Sequence, residues 1–327
     1  MTILVTGGAG YIGSHTVRAL QTKGYDVIVV DNLSKGHKQA VQVPLYIGDL
    51  SDRSFLEKVF AENQIDAVIH FAALSLVGES VIRPDLYFGS NITNALSLLD
   101  VMRKYGVSQI VFSSTAAVYG EPMEVPIPES HPKQPTNPYG ESKLFIEMIL
   151  QRYAEAFGIR YIALRYFNAA GADPKGDIGE DHRPETHLIP LVLQAVLGQR
   201  DRLQIFGTDY PTPDGTCLRD YIHVNDLSDA HVLALEALAD GASSTAYNLG
   251  NGRGFSVRQV IETAEKVTGR LVPVDEGPRR PGDPAVLVAS SDRAVQELGW
   301  QPRFADLETI IATAWNWHKN NPNGFQE

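Results

Sequence analysis

Short apolar runs alternate with longer stretches of helical spacing through the first half of the chain. Ile3–Thr6, Val27–Val30, Ala67–His70, Gln109–Phe112 and Tyr161–Leu164 are dominated by apolar residues, as expected of strands covered on both faces of a parallel sheet. Between them, Ser14–Gln21, Ser54–Glu62, Asn91–Lys104 and Ser142–Phe157 carry apolar residues at helical spacing. Strand and helix in strict alternation predict an α/β protein with a doubly wound parallel sheet. From Gly171 to Pro184 the chain turns rich in Gly, Pro and Asp. This stretch reads as a crossing loop into a smaller mixed region with short elements and many turns. The expected division is residues 1–170 and 171–327, with about 220–250 returning to the main sheet because Asp220–Asp240 and Tyr247–Gly250 again look like helix and strand.

The first apolar run leads into Thr6-Gly7-Gly8-Ala9-Gly10-Tyr11-Ile12-Gly13. Glycines at Gly7, Gly10 and Gly13 allow a tight turn, a close backbone approach to a pyrophosphate and close packing of helix on strand. A helix N-terminus that follows them presents free N–H groups to that pyrophosphate. The second run ends at Asp31, where a carboxylate accepts hydrogen bonds from an adenosine ribose and repels an added 2′-phosphate. The sheet is therefore expected to be of the Rossmann type, with NAD as cofactor. Ligands of such sheets bind at the carboxyl ends of the strands, and Gly7–Gly13, Asp31–Asn32, Phe71–Ser75 and Ser113–Thr115 are all expected just after strand ends.

Composition narrows the partners. The chain has 327 residues, 43% hydrophobic and 20% charged, with a net charge of −11. That balance fits a globular domain and argues against nucleic acid or an anionic membrane surface as partner. No apolar run reaches the length of a bilayer span. The sequence opens on a strand without a signal-peptide layout, and its one cysteine, Cys217, suits a reducing compartment. A cytoplasmic protein is expected, with Cys217 as a small buried residue.

Tyr139-Gly140-Glu141-Ser142-Lys143 places a tyrosine and a lysine on one helical face. A free phenol, with a pKa of about 10, is too weakly acidic to act as a base at neutral pH. A nearby ammonium group is expected to favour the phenolate and lower that pKa. Upstream, Thr115 closes the run Phe112-Ser113-Ser114-Thr115 and offers a hydroxyl. Pro122, Pro126, Pro128, Pro132, Pro135 and Pro138 make the intervening stretch a stiff connector that presents Tyr139. Glu180, Asp181, His182, Glu185 and His187 cluster in sequence, but their spacing matches no zinc motif. They read as a solvated loop, and no metal is expected.

Together these motifs make the chain resemble the extended short-chain dehydrogenases/reductases, and within them the branch that epimerises UDP-hexoses at C4. The resemblance spans nearly the whole chain. It rests on Thr6–His15, Asp31-Asn32, Phe71–Leu74 with Val77–Ser80, Ser113–Thr115 with Val118–Gly120, Tyr139–Lys143, Arg165–Asn168, Leu188–Pro190, Ile205–Gly207, Asp209–Gly215, Arg219–Val224 and Arg280-Pro281-Gly282-Asp283. It implies reversible epimerisation of UDP-glucose and UDP-galactose through transient hydride transfer to tightly bound NAD. Tyr139 would be the base, Thr115 would bond the 4-oxygen and Lys143 would hold the nicotinamide ribose. Gly7, Gly10, Tyr11, Ile12, Gly13, Asp31, Asn32, Asp49, Leu50, Phe71, Ala72, Leu74 and Phe167 would line the NAD site. Asn168, His187, Leu188, Gln204, Phe206, Arg219, Tyr221, Arg280 and Asp283 would hold the UDP-sugar, with the two arginines able to clamp its diphosphate. Leu287 would lie against the sugar's 2-position, where its small size would admit UDP-GlcNAc and UDP-GalNAc. The resemblance also implies a homodimer joined through the helices of 91–104 and 142–157. Ser75, Ser90 and His187 depart from the family's usual Lys, Asn and Asn, and Thr115 from its commoner Ser. A 4,6-dehydratase would need an acidic pair where Ala116 and Ala117 stand. A UDP-glucuronate enzyme would need a further cation, and an inactive NAD sensor would be free to lose Tyr139 or Lys143.

Overall fold

In the computed structural model, which describes residues 1–280 and 283–326, seven parallel strands form the central sheet. They are β1 (Thr2–Thr6), β2 (Asp26–Asp31), β3 (Leu45–Ile47), β4 (Ala67–His70), β5 (Gln109–Thr115), β6 (Arg160–Tyr166) and, from the second half, β11 (Thr245–Leu249). Their spatial order is β11-β6-β5-β4-β1-β2-β3, so the winding reverses between β1 and β4. That reversal opens the crevice in which doubly wound sheets bind nucleotides.

Each strand alternates sides, and its apolar residues feed two cores. Ile3 and Val5 pack with Val27, Val29 and Ile69 under α1 (Tyr11–Thr22), together with Leu227, Leu235, Leu298 and Trp300. Leu4 and Val68 face the other way, under α2 (Arg53–Glu62), α5 (Thr93–Lys104) and α6 (Pro138–Phe157), against Leu56, Leu98, Ile146 and Leu150. Both faces are covered, which is why these runs read as continuously apolar. The short helices α3 (Val77–Ile82) and α4 (Pro84–Tyr87) lead through a wide π turn at Phe88–Ile92 into α5.

The second half adds a satellite layer. β7 (Asn168–Ala170) pairs with β10 (Tyr221–His223), and β8 (Leu203–Phe206) with β13 (Val274–Gly277). β9 (Leu218–Arg219) lies between β12 (Phe255–Ser256) and β14 (Val286–Leu287). Helices α7 (Leu188–Val196), α9 (Val257–Thr268) and α11 (Leu307–Asn320) pack there around Val192, Leu193, Ile205 and Ile310. Helix α8 (Val224–Ala239) returns to the main sheet against α1, and α10 (Asp292–Leu298) packs beside β11.

Four expectations are corrected. Ser113–Thr115 lies inside β5, because pairing of Thr115 with Tyr166 extends the strand past Phe112. Helix α1 begins at Tyr11 rather than Ser14, so Gly13 is helical. The stretch from Asn91 opens on the π turn, and the α-helix proper starts at Thr93. Leu45–Ile47 joins the sheet edge as a partly exposed strand of only three residues. Of the sequence motifs, Pro281 and Gly282 lie outside the described residues.

Candidate active site

Backbone crowding shapes the loop after β1. Gly7 adopts φ 72°, and a Cβ there would lie 2.6 Å from the Ala72 nitrogen. A Cβ on Gly13 would lie 2.2 Å from the Gly7 carbonyl oxygen. Only glycine lets loop, helix and β4 approach this closely. Helix α1 has no side-chain cap at Gly10, which leaves its first-turn N–H groups for an anion. Asp31 is buried at the end of β2, where Oδ2 accepts from Ala9 N at 3.0 Å and Oδ1 from Leu33 N at 2.8 Å. Burial raises its carboxyl pKa, and those two bonds oppose the rise. Asn32 donates to Asp49 at 2.7 Å, beside buried Leu50. Phe71 and Ala72 donate their N–H groups to Thr6, and Leu74 donates to the Asn91 side chain at 2.8 Å. A cradle closed to Cβ atoms, an uncapped helix start and a buried acid at the end of the second strand together fit a dinucleotide.

Tyr139 enters by helix capping. Asn137 accepts from Gly140 N at 2.9 Å, Pro138 occupies the first turn, and α6 runs on for 20 residues. The connector before it is tied down, with Ile127 donating to Val288 and accepting from Ser290. Burial raises the Tyr139 phenol's pKa, and the nearby Thr115 side chain opposes the rise. Lys143 is 3% exposed and donates to the Ser113 carbonyl at 2.8 Å. Burial lowers its ammonium to about 7, while Glu147 pulls it upward. The lysine shares the helical face of Tyr139, and its ammonium is held on the Ser113 carbonyl of β5.

The residues expected to hold a UDP-sugar spread over several short elements. Asn168 on β7 pairs with Tyr221 on β10. His187 caps α7 and Leu188 begins it. Gln204, exposed, and Phe206 lie on β8. Arg219 forms an ion pair with Asp283 and donates to Leu218 O at 2.8 Å. Arg280 sits 4.0 Å above the Phe206 ring. The two arginines are thus held by an acid and by an aromatic face rather than by one another. Leu287 pairs with Arg219 across β14 and β9. It packs against the buried cluster of Val118, Tyr119 and Ile127, on which Phe167 and Leu144 of α6 also rest, and this cluster joins the satellite layer to the helix that carries Tyr139. Buried Cys217 has its thiol pKa raised by burial.

The loop at 180–187 is not solvated as expected. Glu180 is buried, and the Glu185 side chain is 4% exposed. Glu180 Oε1 lies 2.5 Å from His187 Nδ1 and 3.2 Å from His182 Nδ1. Burial opposes charge on His182, yet Glu180 and Glu185 carry its pKa up to about 10. Burial likewise opposes charge on Glu180, yet His187 and His182 bring it down to about 2. Two buried carboxylates thus face two histidines whose pKa values they raise, which sequence spacing could not disclose.

Sequence reading also missed Asn91, Glu147 and Arg165 as polar groups of this wall. Asn91 is buried and bonds Leu74 on both its amide atoms' sides and Ser142 at 3.0 Å. Glu147 follows Lys143 at helical spacing, and that periodicity was the available signal.

Comparison with known proteins gives three concordant findings. Residues 3–250 match the model of the NAD dependent epimerase/dehydratase family. The UDP-glucose 4-epimerase of Halalkalibacterium halodurans is 57% identical over 326 residues, covering 99% of this chain and 98% of the relative. A crystal structure of a UDP-glucose 4-epimerase superposes with a TM-score of 0.98 at 54% identity, covering 100% of both chains. That of the Bifidobacterium longum enzyme in complex with NAD+ and UDP gives 0.94 at 44% identity, covering 99% of this chain and 100% of that one.

Proposed function

Because the chain belongs to the NAD dependent epimerase/dehydratase family, we propose that it interconverts UDP-glucose and UDP-galactose by reversible epimerisation at C4. The observation that carries this reading is the placement of Tyr139 and Lys143 one turn apart on α6, with the Lys143 ammonium on the Ser113 carbonyl and Thr115 closing the same strand, on a wall next to the glycine cradle. The cofactor is NAD, held by Gly7, Gly10, Tyr11, Ile12, Gly13, Asp31, Asn32, Asp49, Leu50, Phe71, Ala72, Leu74, Lys143 and Phe167. When bound, NAD supplies a reversible hydride acceptor for the sugar's C4. Tyr139 takes the proton of the 4-hydroxyl and returns it, and Thr115 bonds the same oxygen, the usual division between a general base and an orienting donor. Lys143 brings positive charge to the pocket floor. Residues 1–170 are the cofactor half, and 171–327 supply most contacts to UDP. Arg219 and Arg280 are the cations in reach of a diphosphate, despite the acidic whole.

The pathway role follows as galactose metabolism in the cytoplasm. Among the described residues no helix is long and apolar enough to cross a membrane. A second copy of this chain is the partner of choice for the outer face of α5 and α6. Phe145 and Met148 are 45% and 53% exposed there, next to Val81 and Ile82 at 63% and 79%. Leu96 and Ile149 are half-buried beside them, whereas Leu98, Leu99 and Met102 pack inward. Light scattering at micromolar concentration is expected to give a dimer, and a monomer would remove this part of the reading. The activity itself is tested by product analysis with a panel of UDP-sugars. Conversion of UDP-galactose to UDP-glucose is expected, and loss of water from the sugar or no conversion would overturn the reading.

A further inference from the structure

Behind the reacting wall lies a charged network that the mechanism does not use. Tyr139, Lys143 and Glu147 succeed one another at four-residue spacing on α6, so all three face β5 and β6. Glu147 is 6% exposed. Its Oε1 accepts from Ser114 Oγ at 2.6 Å and from Arg165 Nε at 2.9 Å, and its Oε2 from an Arg165 terminal nitrogen at 2.6 Å. Arg165, 3% exposed on β6, also donates to Tyr119 OH at 2.8 Å. Tyr119 in turn donates to Asn248 on β11 at 2.6 Å. Ser114 is flanked by Ser113, whose carbonyl holds Lys143, and by Thr115, whose side chain lies near Tyr139. One bidentate pair thus fixes the strand residue between both reactive contacts to the helix that bears their partners.

We propose that the Glu147–Arg165 pair is a positioning element of the reaction, holding Ser113–Thr115 in register with α6 and keeping a negative charge one turn from Lys143. The inference rests on the proposed roles of Tyr139, Thr115 and Lys143. A buried pair of this kind adds little to stability compared with well-packed apolar side chains, so stability alone does not account for it. The groups around the Lys143 ammonium fit the second role. On β5 they are the Ser113 carbonyl and the Phe112 ring, 5.0 Å away. On β4, His70 is kept neutral by burial and by Lys143 itself, its pKa pulled down to about 3. On α6 they are Tyr139, a phenol whose pKa is raised by burial, and Glu147, the carboxylate that draws the Lys143 pKa upward. Arg165 lies beyond Glu147 and is neutralised by it.

The test compares native protein with Glu147→Gln and with the charge-free double variant Glu147→Met/Arg165→Met. The readouts are kcat and KM against pH, bound NAD and melting temperature. Removing the carboxylate makes the Lys143 ammonium more acidic. The alkaline limb of kcat is therefore expected to move to lower pH by about one unit or more in Glu147→Gln. kcat at pH 7 is expected to fall roughly tenfold or more, with KM nearly unchanged, because the pair touches no substrate. The double variant keeps the fold without a buried unpaired charge, and is expected to retain the kcat loss with a smaller displacement of the limb. If both variants, or the double variant alone where Glu147→Gln does not fold, bind NAD and keep the native limb and kcat, the pair is merely structural and the proposal fails. Native protein without epimerase activity would instead remove the reading on which it rests.

Discussion

The wall that bears the reactive groups and the wall proposed to hold the UDP-sugar are built in opposite ways. The first consists of a seven-residue strand and a 20-residue helix, with Thr115, Lys143 and Glu147 at 8%, 3% and 6% exposure. The second consists of strands of two to four residues, and its cations rest on exposed or half-exposed partners such as Asp283 and Phe206. Proton transfer needs groups fixed to a fraction of an ångström, which long elements and buried bonds provide. A phosphorylated ligand can bring much of its own order, so short segments held by side chains suffice.

The contrast can be broken most sharply on the reactive side. Tyr139→Phe deletes one hydroxyl from the capped start of α6. Turnover is expected to fall roughly 10²–10⁴-fold or more, the scale of a lost general base, while bound NAD and the melting curve stay near native. Near-native turnover would remove Tyr139 from the mechanism.

A gentler change probes the other wall. Leu287 packs against the cluster of Val118, Tyr119 and Ile127, as do Phe167 and Leu144, and is half-buried, so it borders the proposed sugar site without belonging to the reactive wall. Native protein is expected to act on UDP-GlcNAc and UDP-GalNAc as well as on the unsubstituted pair. Leu287→Tyr is expected to reduce the N-acetylated pair selectively, by about 1–3 kcal/mol in transition-state binding. Equal effects on both pairs, or no native activity on UDP-GlcNAc, would show that Leu287 is not the gate.

The smallest effect concerns the loop at 180–187, where His182 packs edge-on against the Tyr11 ring beside Glu180. His182 has a folded pKa raised from 6.5 to about 10. Its contribution to stability is complete below pH 6.5 and is lost as pH rises toward 10. Glu180, lowered from 4.5 to about 2, contributes above pH 4.5 and loses that contribution as pH falls toward 2. His182→Gln is therefore expected to lower the melting temperature by about 1–2 °C near pH 6, the shift that about 1 kcal/mol produces in a chain of 327 residues, and by less near pH 9.5. A deficit that stays constant or grows between those pH values would contradict the assignment.

The same contrast explains what the sequence disclosed. Strands such as Ala67–His70 and the helix at 142–157 are legible because burial on a sheet imposes a period that side chains must obey. The glycines and Asp31 are legible because close backbone approach and ribose recognition restrict residue type. Leu45–Ile47 escaped because a three-residue apolar run is too short to show a strand period. The ion cluster at 180–187 escaped because its spacing follows a loop path rather than a period. The hold of Lys143 on the Ser113 carbonyl escaped because a helical face says which way a side chain starts and not where a long one ends.

The central claim is a redox-neutral exchange at a single carbon, run by a retained cofactor. It is tested most directly by giving the purified protein UDP-galactose deuterated at C4, with no nicotinamide nucleotide added, and analysing the product by mass and NMR. UDP-glucose that keeps the deuterium at C4 is the expected result. Exchange of that deuterium with solvent, or no conversion until a nucleotide is supplied in stoichiometric amount, would contradict the account.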